Sequence, residues 1–384
     1  MQFDFTTASR IIFGTGVLQQ AGGLAAQYGK RVLVVTGRNA SRAEPLLASL
    51  RASNASPLTF SVFGEPELAT VEQGVKLARQ QQSEVIIGFG GGSAIDAGKA
   101  VAALLTNKGD LLEYLEVIGA GKSLSVPSAP FIAIPTTAGT GSEVTRNAVI
   151  NSSRHRIKAS LRSSFMLPKV ALIDPRQTYD LPAELTAATG LDALTQLIEP
   201  FVCSRANPFT DALCLEGIKR VRGSLRRAFE DGKNETARAD MCVASLFGGM
   251  ALANAGLGAV HGFAGPIGGM FPIPHGTVCA RLLAPVMRTN IEALRQRQPG
   301  SEALDRFTQV SKVLTENSNA SAEDAITWVN KLVDDFEIAA LGSYGLTQQA
   351  VPELVDKASK ASSMKANPIE LTREELTSAL QAAL

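Results

Sequence analysis

The chain has 384 residues, 45% of them apolar, with 37 Lys and Arg against 36 Asp and Glu. That length exceeds one ordinary domain and predicts two, each with ample core. A net charge of +1 gives no electrostatic footing for nucleic acid or an anionic membrane, and no apolar run approaches the roughly 18 residues of a transmembrane helix.

The N-terminus, MQFDFTTASRIIFG, lacks the basic-then-apolar pattern of a signal peptide. Residues 31–36 form a β-branched run bounded by Gly29 and Gly37 and predict a strand; 58–63 and 84–89 predict two more. Between these last two, 67–82 carries Leu68, Val71, Val75, Leu77 and Ala78 at helical spacing. A glycine loop then leads into a predicted helix over 94–105, and 131–134 and 170–174 predict further strands. Strands alternating with helices imply a mostly parallel sheet covered on both faces, with ligands at the carboxyl ends of its strands.

From about Tyr179 the pattern changes. Residues 183–202, 208–229, 236–255, 278–297, 301–316, 322–336, 351–360 and 372–384 all read as helices. The expected division is a dinucleotide-binding α/β domain over 1–178 and a helical domain over 179–384. Cys203, Cys214, Cys242 and Cys279 form no CxxC pair and read as scattered reduced thiols of a cytoplasmic protein.

Two Gly-, Thr- and Ser-rich loops follow buried-looking strands. In the first, Gly90 to Asp96, the glycines permit close approach to a pyrophosphate, and Ser93 reads as a helix N-cap paired with Asp96. In the second, Thr136, Thr137, Thr140 and Ser142 offer hydroxyls around Gly139 and Gly141. Two such loops in one α/β half point to a dinucleotide and to a nicotinamide oxidoreductase. At the end of the first strand, Gly37 and Arg38 stand where an acidic residue would hold the ribose of NAD. Space and positive charge there suit the 2′-phosphate of NADP, with NAD the alternative.

Asp192 and Gln196 lie four apart on one predicted helix face. His261 and His275 flank a segment, GFAGPIGGMFPIP, that reads as a flexible Gly- and Pro-rich loop able to bring both imidazoles together. Asp plus two His is a reasonable set for Fe2+ or Zn2+. A lone histidine is more often structural than a ligand, so spacing alone does not establish the metal site.

Through GFGGGSAIDAGKA (88–100), PTTAGTGSEVT (135–145), LPKVALIDP (167–175), GLDALTQLIEP (190–200) and HGFAGPIGGMFPIPHG (261–276), the chain resembles the iron-containing (group III) alcohol dehydrogenase family over essentially its whole length. The resemblance implies an N-terminal Rossmann-like α/β domain and an all-α C-terminal domain, the fold shared with dehydroquinate synthase. It implies hydride transfer between NAD(P)(H) and an alcohol or aldehyde in an interdomain cleft, in a homodimer. The metal ligands it implies are Asp192, Gln196, His261 and His275, with Asp192, His261 and His275 catalytic. The cofactor residues it implies are Gly91, Gly92, Ser93, Asp96, Thr136, Thr137, Ser142 and Lys158.

Two positions depart from the family pattern. Gln196 replaces a histidine ligand, and Gly265 stands where many members carry a second histidine near the nicotinamide. Phe247, Phe263 and Phe271 are candidate pocket walls. Gln196 keeps a metal-free, maleylacetate-reductase-like oxo-acid reductase as the alternative. A dehydroquinate-synthase-type lyase lacks the clustered cations that sugar phosphates need, and a non-catalytic relative is at odds with three retained ligands.

Overall fold

The computed structural model describes residues 2–384. Two compact bodies emerge: Thr6–Thr137 with Gly141–Asp180, and Leu181–Leu384 together with Ala138–Thr140 and the N-terminal residues as far as Phe5.

The first body contains β1 (Ile11–Phe13), α1 (Ala21–Ala25), β2 (Arg31–Thr36), α2 (Glu44–Ala52), β3 (Ser56–Ser61), α3 (Leu68–Gln80), β4 (Val85–Gly90), α4 (Gly92–Thr106) and α5 (Leu111–Tyr114). It continues with β5 (Phe131–Pro135), β6 (Asn147–Ser152), β7 (Ile157–Arg162) and β8 (Val170–Ile173). Six strands form a parallel sheet in the order β1-β8-β5-β4-β2-β3. Its four inner strands, β8, β5, β4 and β2, are buried on both faces because both are covered. Leu33, Val35 and Ile86 join one core with Val71, Val75 and Val101. Val32, Val34 and Ile87 join the other with Leu46 and Leu50. Each such side chain, fully buried, stabilises the fold by roughly 1.5–3 kcal/mol.

Glycine sets the distance between α4 and the sheet. A Cβ at Gly88 would stand 3.1 Å from the Ile95 Cα, and one at Gly98 would stand 2.8 Å from the Phe131 ring. These two glycines therefore serve packing. The strand β1 and the antiparallel hairpin β6–β7 were not expected from the sequence. β1 has three residues, and in β6 the apolar Val149 beside buried Ala148 and Ile150 masks the alternation.

The predicted cap of α4 is corrected. The helix starts at Gly92 after Gly91, with no side-chain cap. Ser93 is already inside the first turn. Asp96 closes no capping box because its carboxylate accepts hydrogen bonds from the Ser142 hydroxyl and, at 3.1 Å, from the Val149 N–H.

The second body contains α6 (Ala183–Val202), α7 (Pro208–Glu230), α8 (Glu235–Asn254), α9 (Ala259–Met270), α10 (His275–Arg297), α11 (Glu302–Thr315), α12 (Ala322–Asp335), α13 (Val351–Ser359) and α14 (Arg373–Gln381). Among the described residues it has no strand. α6 is buried almost all round and is the central helix. α7 approaches it closely: a Cβ at Gly217 would stand 2.5 Å from Leu197. No single helix among the described residues is long and apolar enough to cross a membrane.

The expected Gly- and Pro-rich loop between His261 and His275 is also corrected. Most of it is the helix α9, with Pro266 inside and only residues 271–274 connecting it to α10. Tertiary packing overrides the poor helix propensity of four glycines. Gly262, for example, leaves room for the Met364 side chain, whose Cε would lie 2.7 Å from an added Cβ.

Candidate functional site

Three helices of the second body converge. On α6, Asp192, Gln196 and Glu199 recur at four and three residues and share a face. α9 opens with His261 in its first turn. Its start is fixed by the Val260 N–H donating to Glu199 Oε1 at 2.7 Å and the Ala259 N–H donating to Asn367 Oδ1 at 3.1 Å. α10 begins at His275, and Cys279 lies one turn further along the same face.

The donor atoms of Asp192, His261, His275 and Cys279 all lie within 4.8 Å of one another. His261 Nε2 and His275 Nε2 stand 3.5 and 3.6 Å from Asp192 Oδ1. Cys279 Sγ stands 3.9 and 3.6 Å from the same two nitrogens. The nitrogen–oxygen separations are too long for good hydrogen bonds and suit atoms grouped round a common centre. Asp192 Oδ1 and Gln196 Oε1 are buried and have no hydrogen-bond partner among the described residues. Orphaned oxygens in a core call for a missing positive partner, and this donor set suits a divalent cation.

Glu199 completes the arrangement. Its Oε2 lies 2.6 Å from His261 Nδ1. A carboxylate oxygen here accepts from Nδ1, which leaves Nε2, on the Asp192 side, as the nitrogen that a cation would take in place of a proton. Burial disfavours charge on Asp192, but the two imidazoles outweigh it and hold the carboxyl well below its ordinary range. Burial also pulls both imidazoles down. Cys279 with Asp192 reverses this at His275, which rises to about 10, and Cys279 with Glu199 does so at His261. Such a pocket attracts positive charge, whether protons or a cation.

Neither Glu199 nor Cys279 was singled out from the sequence. The signal was present in both cases. Glu199 is seven residues from Asp192, and Cys279 is four from His275, the spacing already noted for Asp192 and Gln196. Cys279 is thus corrected from a scattered thiol to a member of the cluster. Of the proposed pocket walls, Phe263 is fully buried core, while Phe247 and Phe271 are half-buried. A Cβ at Gly265 would meet nothing within 4 Å.

In the α/β body the sheet register aligns the loops. Thr36 pairs with Phe89, and Gly90 with Pro135, so Gly37, Gly91 and Thr136 follow three adjacent strands at one edge. From β2 the chain goes to β3 on one side and then crosses back over β2 to β4 on the other, which places a topological switch point at this edge. A Cβ at Gly91 would lie 3.3 Å from the Thr137 side chain, and one at Gly37 would meet nothing. Arg38 is exposed; Arg42 donates to the Gln177 carbonyl at 2.7 Å. Thr140 lies in the short stretch that clusters with the helical body.

Ser142 and Asp96 bind each other, joined by the buried Lys99. Its Nζ donates to Ser142 Oγ (2.9 Å), Thr145 Oγ1 (2.8 Å) and the Asn147 carbonyl (2.8 Å). Burial lowers Lys99 to about 8 against the pull of Asp96 and Glu143, and raises buried Glu143 to about 7. The Ser142–Asp96 pair ties the second loop to α4. Lys158 pairs with Glu65 at 2.5 Å.

One body offers a switch-point edge and the other a cluster of metal-ligand donors, and the comparisons with known proteins place the chain among the alcohol dehydrogenases. Residues 8–175 match the iron-containing alcohol dehydrogenase family, and 186–384 match the C-terminal part of the Fe-containing alcohol dehydrogenase family. Alcohol dehydrogenase 4 of Schizosaccharomyces pombe is 36% identical over 97% of this chain and 87% of its own. A crystal structure of 1,3-propanediol oxidoreductase superposes with a TM-score of 0.93 at 33% identity, covering 100% of both chains. Sulfoacetaldehyde reductase from Bifidobacterium kashiwanohense, solved with NAD+, superposes at 0.87 with 27% identity, covering 100% of this chain and 99% of its own. The chain belongs to the iron-containing alcohol dehydrogenase family.

Proposed function

We propose that the protein is an NAD(P)-dependent alcohol dehydrogenase and aldehyde reductase that requires a divalent cation, Fe2+ or Zn2+, at Asp192, His261 and His275. The observation that carries this reading is the buried, unpartnered Asp192 Oδ1 facing two imidazole nitrogens at 3.5 and 3.6 Å. A cation there would act as a Lewis acid toward a carbonyl or alcohol oxygen. Asp192 contributes negative charge, the imidazoles contribute nitrogen lone pairs, and Gln196 contributes an amide oxygen. Glu199 keeps the His261 lone pair pointed inward.

In the α/β body, the first-turn amides of α4 with Gly91, Gly92 and Ser93 would receive the pyrophosphate. Thr136 and Thr137 would supply hydroxyls, and open Gly37 with Arg38 would accommodate a 2′-phosphate, favouring NADP(H). The nicotinamide carries the hydride, and the protein orients it.

The test is activity against metal content. His275→Ala is expected to abolish aldehyde reduction while leaving NADPH binding intact. Chelation should remove activity, and Fe2+ or Zn2+ should restore it. A protein that takes up no metal under anaerobic reconstitution yet stays fully active would overturn the metal role. That result would favour the oxo-acid reductase instead.

A further inference from the structure

We infer that Cys279 is a direct protein ligand of the metal, making an Asp-His-His-Cys shell in which a thiolate takes the place that Gln196 cannot fill well. The inference rests on the metal reading above and concerns which atoms hold the ion.

Geometry is the first support. With Zn–S of about 2.3 Å, Zn–N of about 2.0–2.1 Å and Zn–O of about 2.0–2.2 Å at tetrahedral angles, sulfur and nitrogen stand ~3.6 Å apart and oxygen and nitrogen ~3.4 Å. The observed separations are 3.6 and 3.9 Å for Cys279 Sγ to the two Nε2 atoms, and 3.6 and 3.5 Å for Asp192 Oδ1 to the same atoms. These four separations are within a few tenths of an ångström of the tetrahedral values, and all the donor atoms lie within 4.8 Å of one another.

The second support is placement on the helix. His275 and Cys279 are four apart on α10, the spacing by which one helix face presents two ligands to zinc. Cys279 is fully buried, and so is the unpartnered Asp192 Oδ1. The third is donor chemistry. An amide oxygen is a neutral, hard donor, whereas a thiolate is anionic and soft and binds borderline metals well. Replacing imidazole by amide at Gln196 weakens the shell, and a thiolate at Cys279 restores a soft donor and adds negative charge. The resulting set leans toward zinc over iron.

Cobalt substitution tests this without relying on turnover. The Co2+-loaded protein is expected to show a strong near-ultraviolet thiolate-to-cobalt absorption, stoichiometric with bound metal. Cys279→Ser should lose that band, and Gln196→Ala should keep it. An equal mixture of Fe2+ and Zn2+, offered anaerobically, should load the native chain chiefly with zinc and Cys279→Ser less selectively. Cobalt bound at one equivalent with no thiolate band in the native protein would overturn the Cys279 assignment while leaving the metal reading intact. No cobalt, zinc or iron uptake at all would overturn both. Because the native protein gives the decisive spectrum, the inference stays testable even if a Cys279 variant fails to fold.

Discussion

Single side chains here act by fixing the state of a neighbour. Glu199 touches none of the four clustered donor atoms except through His261, yet it decides which imidazole nitrogen bears the proton. Glu199→Gln can offer an N–H to Nδ1 and so move the proton to Nε2, where it blocks the lone pair. Metal affinity should fall about 10–100-fold with little change in helix content, as measured by titration against a metal buffer. Unchanged affinity would mean that Glu199 only anchors α9. At the other body, a carboxylate placed at Gly37 would repel a 2′-phosphate and receive a ribose hydroxyl. Gly37→Asp is expected to move the kcat/KM preference from NADPH toward NADH, and equal or better use of NADH by the native enzyme would sink the idea. Residue types at short spacings were readable from the sequence: Asp192 with Gln196, and the glycines after β4. Which polar groups bind each other was not, since Ser142 with Asp96, or Glu199 with His261, meet only through tertiary packing.

Elements explain where that reading failed. The central helix α6 was expected over 183–202 and runs over those residues, because its apolar composition leaves no other fate. α9 was missed because glycine and proline signal a break, and only its neighbours make it a helix. Its N-cap shows how tight those neighbours are. A Cβ at Gly258 would lie 2.9 Å from both Glu199 Oε1 and Asn367 Oδ1. Gly258→Ala should therefore cost roughly 1–3 kcal/mol by overpacking and, by displacing Glu199, should also speed metal loss to a chelator. A drop in Tm with unaltered chelation kinetics would separate packing from ligand support.

At the scale of the whole chain, buried charge makes stability depend on pH. Glu143 takes up its proton at about 7 when folded, against an ordinary 4.5. Between those values the folded body holds a proton that the unfolded chain has released, so stability falls as pH rises through this window. At about 1.4 kcal/mol per unit the loss is on the order of 3 kcal/mol. Lys99, lowered to about 8 from 10.5, acts in a separate window, where stability recovers as pH rises. Glu143→Gln should flatten the first window and, by removing one of the two carboxylates that hold Lys99 up, start the second at lower pH. Hydrogen exchange at β4 and α4 amides from about pH 5 to 7 would report it, because two bodies need not unfold together. A native protein equally protected across that range would rule out the buried proton.

The cage has an uneven wall. The His275 side chain is 33% exposed, whereas those of His261 and Asp192 are 8% and 2% exposed. His275 also begins its helix, and terminal turns open far more often than interiors. A cation held there would come and go past His275, with Asp192 and His261 staying fixed on α6 and α9 and Cys279 one turn deeper in α10. Exchange would then follow the fraying of one helical turn, on a timescale far shorter than that of global unfolding.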